Sequence, residues 1–127
     1  MNEKWKEFLK AVEKKCPQTH IYTQPEECLI YSHGCYPREY KWLLKGDYPY
    51  LTRAVVSPAD EAEISEIVKL ANEYEVSIIP YGGGSGIVGG TIPYQGEIMI
   101  DVKRLQDFSI NIVNGTAKAD ALQEAQD

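Results

Sequence analysis

Apolar residues recur at helical spacing in two stretches of the chain. The first stretch covers residues 4–15. Its apolar positions follow the i, i+3, i+4, i+7 spacing of one helix face and are Trp5, Phe8, Leu9 and Val12. This spacing predicts an amphipathic helix that packs on a core.

The second helical stretch follows Asp60. Asp60 is a good N-cap residue, and Glu63 stands three positions later, which is the spacing of a capping box. Ser57 paired with Asp60 is an alternative register. The predicted apolar face consists of Ile64, Ile67, Val68, Ala71 and Tyr74, and we expect the acidic residues between them to face solvent.

Short β-branched or apolar runs flank this second helix. Predicted strands cover residues 53–56, 76–80, 97–101 and 108–113. A short helix is predicted over residues 37–44, and the start of another over residues 117–126. Strand, helix and strand in this order make a βαβ unit. The pattern therefore predicts an α/β fold, with a small, mainly parallel sheet flanked by helices.

The character of the chain changes near residue 50. Residues 1–50 comprise the first helix and an irregular connecting segment, in which seven aromatic residues are scattered among prolines and glycines. Residues 51–127 carry the alternating strands and helices. Because the chain has 127 residues, it has room for one ordinary domain only.

Charge and cysteine content exclude several classes of function. Nineteen acidic and thirteen basic residues give a net charge of -6, which disfavours nucleic acid as a partner. No apolar run approaches the roughly 18 to 20 residues that a membrane-spanning helix needs. The three cysteines form no CxxC pair and no secretory signal precedes them, so we expect reduced thiols and a cytoplasmic protein. Cys28, His33 and Cys35 match no standard zinc pattern.

The glycines are concentrated in one loop. Six of the ten glycines lie between Gly82 and Gly90, directly after a predicted strand. Glycines allow successive backbone N–H groups to converge on an anion without obstruction by a Cβ atom, and Ser85 and Thr91 add hydroxyl donors. A tight turn explains one or two glycines but not six in nine residues. The composition predicts a loop that binds phosphate groups.

A Rossmann-type NAD site is an alternative interpretation of this loop. Gly84, Gly86 and Gly89 have the GxGxxG spacing, and Asp101 lies near the position expected of a ribose-binding acid. However, that motif must open a helix, whereas residues 89–96 are rich in turn formers. A Walker site is also disfavoured, because no Gly-Lys-Ser/Thr sequence is present.

The chain resembles the FAD-linked oxidase family over most of its length. The resemblance is carried by RAVVSP at residues 53–58, EISEIV at 63–68, IIPYGGGSGIVGG at 78–90 and IMIDVKRL at 98–105. Weaker matches occur at residues 31–34, 114–116 and 122–125. This family, whose members include glycolate oxidase flavin subunits and D-lactate dehydrogenases, has the vanillyl-alcohol-oxidase or PCMH-type flavin fold.

The resemblance implies an FAD whose diphosphate lies across the glycine-rich loop. The implied cofactor-binding residues are Tyr81, Gly82, Gly83, Gly84, Ser85, Gly86, Gly89, Gly90 and Thr91. Covalent relatives place a histidine where Ser85 stands, so the resemblance implies non-covalent FAD. Many relatives also carry an arginine where Tyr81 stands, and this chain therefore lacks one positive charge at that position.

The resemblance further implies the amino-terminal, first subdomain of an FAD-dependent oxidoreductase that acts on a 2-hydroxy acid or a related alcohol. By resemblance, the residues that bind substrate and accept its proton lie in a second subdomain and a substrate-binding domain that these 127 residues do not include, so no catalytic residue is assigned within the chain. We expect weak or no FAD binding by the chain alone. Completion by the remainder of an oxidase, by a complementary subunit or by a second copy is one hypothesis. A non-catalytic module that binds a nucleotide or a protein is the other.

Overall fold

A computed structural model of the protein describes residues 3–120. Its helices and strands in chain order are α1 (Lys4–Lys15), β1 (His20–Tyr22), α2 (Pro25–Ile30), α3 (Pro37–Lys45), β2 (Val55–Ser57), α4 (Glu61–Glu73), β3 (Ile78–Tyr81), β4 (Ile98–Asp101), β5 (Phe108–Asn111) and β6 (Thr116–Ala119). The predicted helices over residues 4–15 and 37–44 are confirmed. The four predicted strands are also confirmed, and each end lies within two residues of the prediction.

Four strands form the main sheet, in the order β1-β2-β4-β3. Strands β2, β4 and β3 are parallel to one another, and β1 pairs antiparallel with β2 at the edge. The predicted α/β fold with a mainly parallel sheet is thus confirmed. In the register of β3 with β4, Tyr81 lies beside Asp101. Both residues end their strands, so they mark the carboxyl edge of the sheet where the glycine-rich loop begins.

Helices α1 and α4 cover one face of the main sheet. Its core consists of Phe8, Leu9, Val12, Cys16, Ala54, Val56, Ile67, Leu70, Ala71, Ile98 and Ile100. The predicted apolar face of α4 was partly wrong, because Leu70 is buried whereas Val68 is 40% exposed. Ile67, Leu70 and Ala71 at i, i+3 and i+4 form a narrower stripe, and Val68 lies at its edge.

The predicted N-terminus of α4 is confirmed. The Asp60 carboxylate accepts a hydrogen bond from the Glu63 amide at 2.9 Å, and the Glu63 carboxylate accepts one from the Ala59 amide at 2.9 Å. Ser57 lies in β2, so the alternative register is excluded. Such a cap contributes about 1 kcal/mol to stability.

The opposite face of the sheet carries aromatic residues. Val55, Tyr81 and Met99 are buried there, and Tyr22 and Tyr31 pack against them. Alternation of side chains along each strand places these residues opposite the helical core. This aromatic face lies next to the carboxyl edge of the sheet and therefore supports the start of the glycine-rich loop.

Strands β5 and β6 form a separate two-stranded antiparallel sheet. The helix predicted over residues 117–126 is wrong for residues 117–119, which belong to β6, and residues 121–127 lie outside the described residues. Gly115 adopts a φ of 62°, and the Asn114 amide donates to the Asn111 side chain at 3.1 Å. This turn reverses the chain, so that the following residues pair with β5.

The hairpin formed by β5 and β6 presents apolar side chains to solvent. Both strands are exposed throughout. The large exposed apolar residues are Phe108, Ile110, Ile112 and Val113, of which Val113 is 94% exposed. No helix within residues 3–120 is long and apolar enough to cross a bilayer.

Candidate functional site

The glycine-rich loop, residues 82–91, leaves the carboxyl edge of the parallel sheet directly after β3. Tyr81 at its start is 8% exposed. Four of the predicted cofactor-binding residues are exposed, namely Gly83, Ser85, Gly86 and Gly90, and four are half-buried, namely Gly82, Gly84, Gly89 and Thr91. The structure thus brings the predicted residues together in one continuous, largely open loop. Carboxyl edges of parallel sheets are common ligand-binding positions in α/β proteins.

Two glycines are required by the loop's own shape. Gly84 has a φ of 71° and Gly89 a φ of 75°, which is the left-handed region that favours glycine. A Cβ at Gly84 would overlap the Tyr81 hydroxyl, and a Cβ at Gly89 would lie 3.3 Å from the Ile92 side chain. Conformation and packing therefore account for these two positions.

Three other glycines are not required by the protein itself. Gly82, Gly86 and Gly90 have no positive φ, and a Cβ at any of them would meet nothing within 4 Å. Without side chains, these positions leave the peptide backbone open to a bound molecule. The arrangement fits an anionic group of FAD approaching the loop's backbone N–H groups, because a Cβ atom would occupy that space.

A segment from the first 50 residues forms a wall against the loop. The Cys35 amide donates to the Gly86 carbonyl at 3.1 Å, and the Cys35 thiol donates to the Gly84 carbonyl at 3.6 Å. A Cβ at Gly34 would lie 3.3 Å from the Gly86 carbonyl oxygen. The wall therefore fixes two carbonyl groups of the loop on the side facing the protein.

Glu39 holds this wall in place. Its carboxylate is fully buried and accepts hydrogen bonds from the Gly34 amide at 3.1 Å and the Tyr36 amide at 2.8 Å. Pro37 followed by Glu39 is a sequence signal for a helix start, and α3 begins there. The contact with the glycine-rich loop, however, joins segments about 50 residues apart and could not be deduced from that local signal.

Beneath the start of the loop, four polar or aromatic side chains form a cluster. The Tyr31 hydroxyl donates to the Asp101 carboxylate at 2.5 Å, and the Lys103 ammonium lies 2.9 Å from the same carboxylate. The ammonium is also 4.6 Å from the ring centroid of Tyr31 and 4.8 Å from that of Tyr81. The two rings meet edge to face at 4.9 Å. Lys103 and Asp101 therefore neutralise each other while bracing the Tyr81 ring.

Both tyrosines of this cluster remain neutral phenols at ordinary pH. Burial, followed by the hydrogen bond to Asp101, raises the pKa of Tyr31 well above its usual value of 10. Burial and the nearby Asp101 charge also raise the pKa of Tyr81. Neither phenol is suited to accept a proton from a substrate.

The structure disfavours the Rossmann interpretation further. The chain passes from the glycine-rich loop to β4 without a helix in residues 91–97. Asp101 is buried and uses its carboxylate for Tyr31, for the Lys103 ammonium and for the Lys103 amide at 2.9 Å. It is therefore not placed to bind a ribose as the GxGxxG motif requires.

Solved structures with a similar fold include flavoenzymes. An alkyldihydroxyacetonephosphate synthase aligns with a TM-score of 0.77 at 26% identity, over 87% of this chain and 22% of its own. A p-cresol methylhydroxylase aligns with a TM-score of 0.64 at 15% identity, over 85% of this chain and 20% of its own, which shows the fold alone. The fold is that of a PCMH-type FAD-binding domain.

The sequence comparisons identify the family. The family model described as "FAD binding domain" matches residues 52–121, and the chain belongs to this family. A mitochondrial D-lactate dehydrogenase (cytochrome) of Arabidopsis thaliana is 44% identical over 52 residues, covering 41% of this chain and 9% of the relative. The glycolate oxidase subunit GlcD of Bacillus subtilis is 32% identical over 90 residues, covering 70% of this chain and 17% of the relative.

The chain therefore spans less than a fifth of the length of either relative. FAD is the cofactor of the family to which it belongs. The family resemblance noted from the sequence is confirmed by both kinds of comparison.

Proposed function

We propose that residues 82–91 bind the diphosphate of FAD non-covalently through their backbone N–H groups. The observation that carries this proposal is the open space at Gly82, Gly86 and Gly90, where neither conformation nor packing requires glycine. Tyr81, braced by Lys103 and Asp101, supports the loop from below. Residues 51–127 would thus form the first FAD-binding subdomain, with residues 1–50 contributing the wall at Gly34 and Cys35.

Non-covalent binding is supported by the composition of the loop. Residues 81–91 contain no histidine, and the residue at the position implied for covalent attachment is Ser85. A serine hydroxyl lacks the nucleophilicity that an imidazole or a thiolate would offer to a flavin ring. Denaturation of the loaded protein should therefore release FAD into solution.

We propose further that the chain is the FAD-binding portion of an oxidoreductase that acts on a 2-hydroxy acid or a related alcohol. The names of the relatives, D-lactate dehydrogenase and glycolate oxidase subunit, support this substrate class. Bound FAD supplies hydride acceptance, and the protein supplies binding and orientation. The residues of this chain contribute cofactor binding, and we assign no catalytic residue among them.

The exposed hairpin supports completion of the site by further protein. Ile110, Ile112 and Val113 are 65%, 89% and 94% exposed, and an apolar surface of this kind gains free energy when another surface covers it. The remainder of an oxidase, a complementary subunit or a second copy would each provide that cover. The open loop alone would leave the flavin ring in water, so further protein is also needed to enclose the cofactor.

The proposal is tested by replacing glycines that the fold does not need. Gly82→Ala and Gly86→Ala, combined in one chain, should weaken FAD binding about tenfold, equivalent to about 1.4 kcal/mol. Thermal unfolding should be unchanged, because the added methyl groups meet no protein atom. Ser65→Ala on exposed α4 provides the control. FAD affinity equal to that of the unmodified chain would reject the loop as the binding site.

A further inference from the structure

An arginine at the far end of the glycine-rich loop rests on an aromatic platform. The guanidinium carbon of Arg38 lies 5.1 Å from the ring centroid of Trp42, 5.5 Å from that of Tyr36 and 6.0 Å from that of Tyr94. Its Nη2 atom donates to the Tyr94 hydroxyl at 2.7 Å. Tyr50 stacks edge to face on Tyr94 at 4.8 Å and so restrains that ring.

This platform adjoins the loop at Gly89. The Tyr94 hydroxyl oxygen, which accepts the Arg38 hydrogen bond, lies 3.8 Å from the position that a Cβ would take at Gly89. Residues 81–91 contain neither lysine nor arginine. Arg38 therefore brings a cation to a loop that has none of its own.

Arg38 differs from Lys103, the cation at the other end of the loop, in how its charge is balanced. Lys103 lies 2.9 Å from the buried Asp101 carboxylate, which neutralises it. Arg38 is exposed, and within residues 3–120 no carboxylate forms an ion pair with it. Apart from the bond to Tyr94, the guanidinium of Arg38 donates no hydrogen bond to another group within the described residues. The charge of Lys103 is thus balanced within the protein, whereas the charge and the remaining N–H donors of Arg38 can interact with a ligand.

We propose that Arg38 binds the phosphate groups of the dinucleotide at the Gly89 end of the loop. This inference rests on the proposed function and names a residue that the glycine motif does not contain. A guanidinium presents a planar fork of donors that matches a phosphate group in two-point contact. Because aromatic rings already restrain the group, little side-chain entropy is lost when an anion binds.

The first test compares two flavins on variants of the full chain. Arg38→Gln should weaken FAD binding about tenfold, which corresponds to about 1.4 kcal/mol. Affinity for riboflavin, which has no phosphate, should not change. FAD binding by Arg38→Gln should also lose part of its sensitivity to salt, because one charge pair is removed. Lys41→Gln removes an exposed cation from the same helix and should bind FAD like the unmodified chain.

A second measurement does not depend on FAD. Inorganic pyrophosphate is titrated into the chain while the NMR signal of the Arg38 Nε–H group and the fluorescence of Trp42 are followed. A saturable shift of the Arg38 signal, absent with chloride at equal ionic strength, supports the inference.

The two measurements separate the inference from the proposed function. If the chain binds FAD and Arg38→Gln binds it equally well, the assignment of Arg38 is overturned while the loop remains the FAD site. If the chain alone does not bind FAD, independent FAD binding is rejected, and the pyrophosphate titration decides on Arg38. No shift of the Arg38 signal would then overturn the inference as well.

Discussion

The Tyr81 side chain lies directly beneath the backbone of Gly84, so that a Cβ at Gly84 would overlap the tyrosine hydroxyl. Strand β3 ends at Tyr81, and the loop bends back over the ring three residues later. Lys103 and Tyr31 also contact this ring. The shape of the loop therefore depends on a side chain that the sheet holds rigidly.

Replacement of Gly84 should destabilise the fold, in contrast to replacement of its neighbours. In Gly84→Ala the added methyl group meets the Tyr81 hydroxyl while φ remains in the left-handed region. Such strain costs on the order of 1–3 kcal/mol. Urea unfolding would measure this loss, and Gly82→Ala is the control that should leave stability unchanged. Equal stability of the two variants would contradict the close approach of Tyr81 to Gly84.

Removal of the Glu39 carboxylate should loosen the wall beside the loop. Glu39→Gln leaves one of the two amides, Gly34 or Tyr36, facing a buried NH2 group instead of an oxygen acceptor. A buried donor without a partner costs about 1–3 kcal/mol, and we expect a loss of that size in the free energy of unfolding. Glu73→Gln, on the exposed end of α4, should change it by less than about 0.5 kcal/mol. A neutral or stabilising effect of Glu39→Gln would contradict the role of Glu39.

Cys35 should be the most reactive thiol in the folded chain. Cys16 and Cys28 are buried, and burial raises the pKa of both thiols, which keeps them protonated. Cys35 is half-buried beside the loop. Mass spectrometry after brief treatment with iodoacetamide should find the label on Cys35, and bound FAD should slow its labelling. Preferential labelling of Cys16 or Cys28 would contradict the described packing.

The contribution of Tyr31 to stability should decline at alkaline pH. The folded state raises the pKa of this phenol, so its stabilising effect is complete below about pH 10, where the unfolded phenol titrates, and falls as the pH rises further. At pH 8, Tyr31→Phe should lose the hydrogen bond to Asp101, about 1.5–3 kcal/mol for a bond to a charged group.

The test is urea unfolding at pH 8 and pH 11. The difference in unfolding free energy between the unmodified chain and Tyr31→Phe should be smaller at pH 11. Tyr48→Phe removes an exposed hydroxyl, and its difference in unfolding free energy from the unmodified chain should be the same at pH 8 and pH 11. A difference that stays constant or grows with pH would mean that burial and Asp101 do not favour the neutral phenol.

Local sequence signals predicted the helices and strands that have a long apolar pattern or a clear capping residue. The apolar stripe of α1 and the Asp60 cap of α4 are examples, because each depends on neighbours within one or two turns. Strand β1 has three residues and no apolar alternation, so it was missed. Strand β5 was predicted, but residues 117–119 of β6 were predicted as the start of a helix, because their pairing with β5 leaves no local signal in the sequence.

The site divides in the same way. The glycine-rich loop is recognisable from its local composition, so both the loop and its position after a strand could be predicted from the sequence. The wall at Gly34 and Cys35, the buried Glu39 and the Arg38 platform come from about 50 residues earlier in the chain. Tertiary packing brings them to the loop, and no spacing in the sequence encodes that contact.

The most direct test of an FAD-binding loop is calorimetric titration of FAD into the purified 127-residue chain, repeated in the presence of ADP. We predict weak, saturable binding that ADP competes away, because ADP carries the diphosphate that residues 82–91 are proposed to hold, and free FAD should be recovered after denaturation. No saturable binding of FAD would contradict independent FAD binding by this chain, and binding that ADP leaves unaffected would contradict the assignment to residues 82–91.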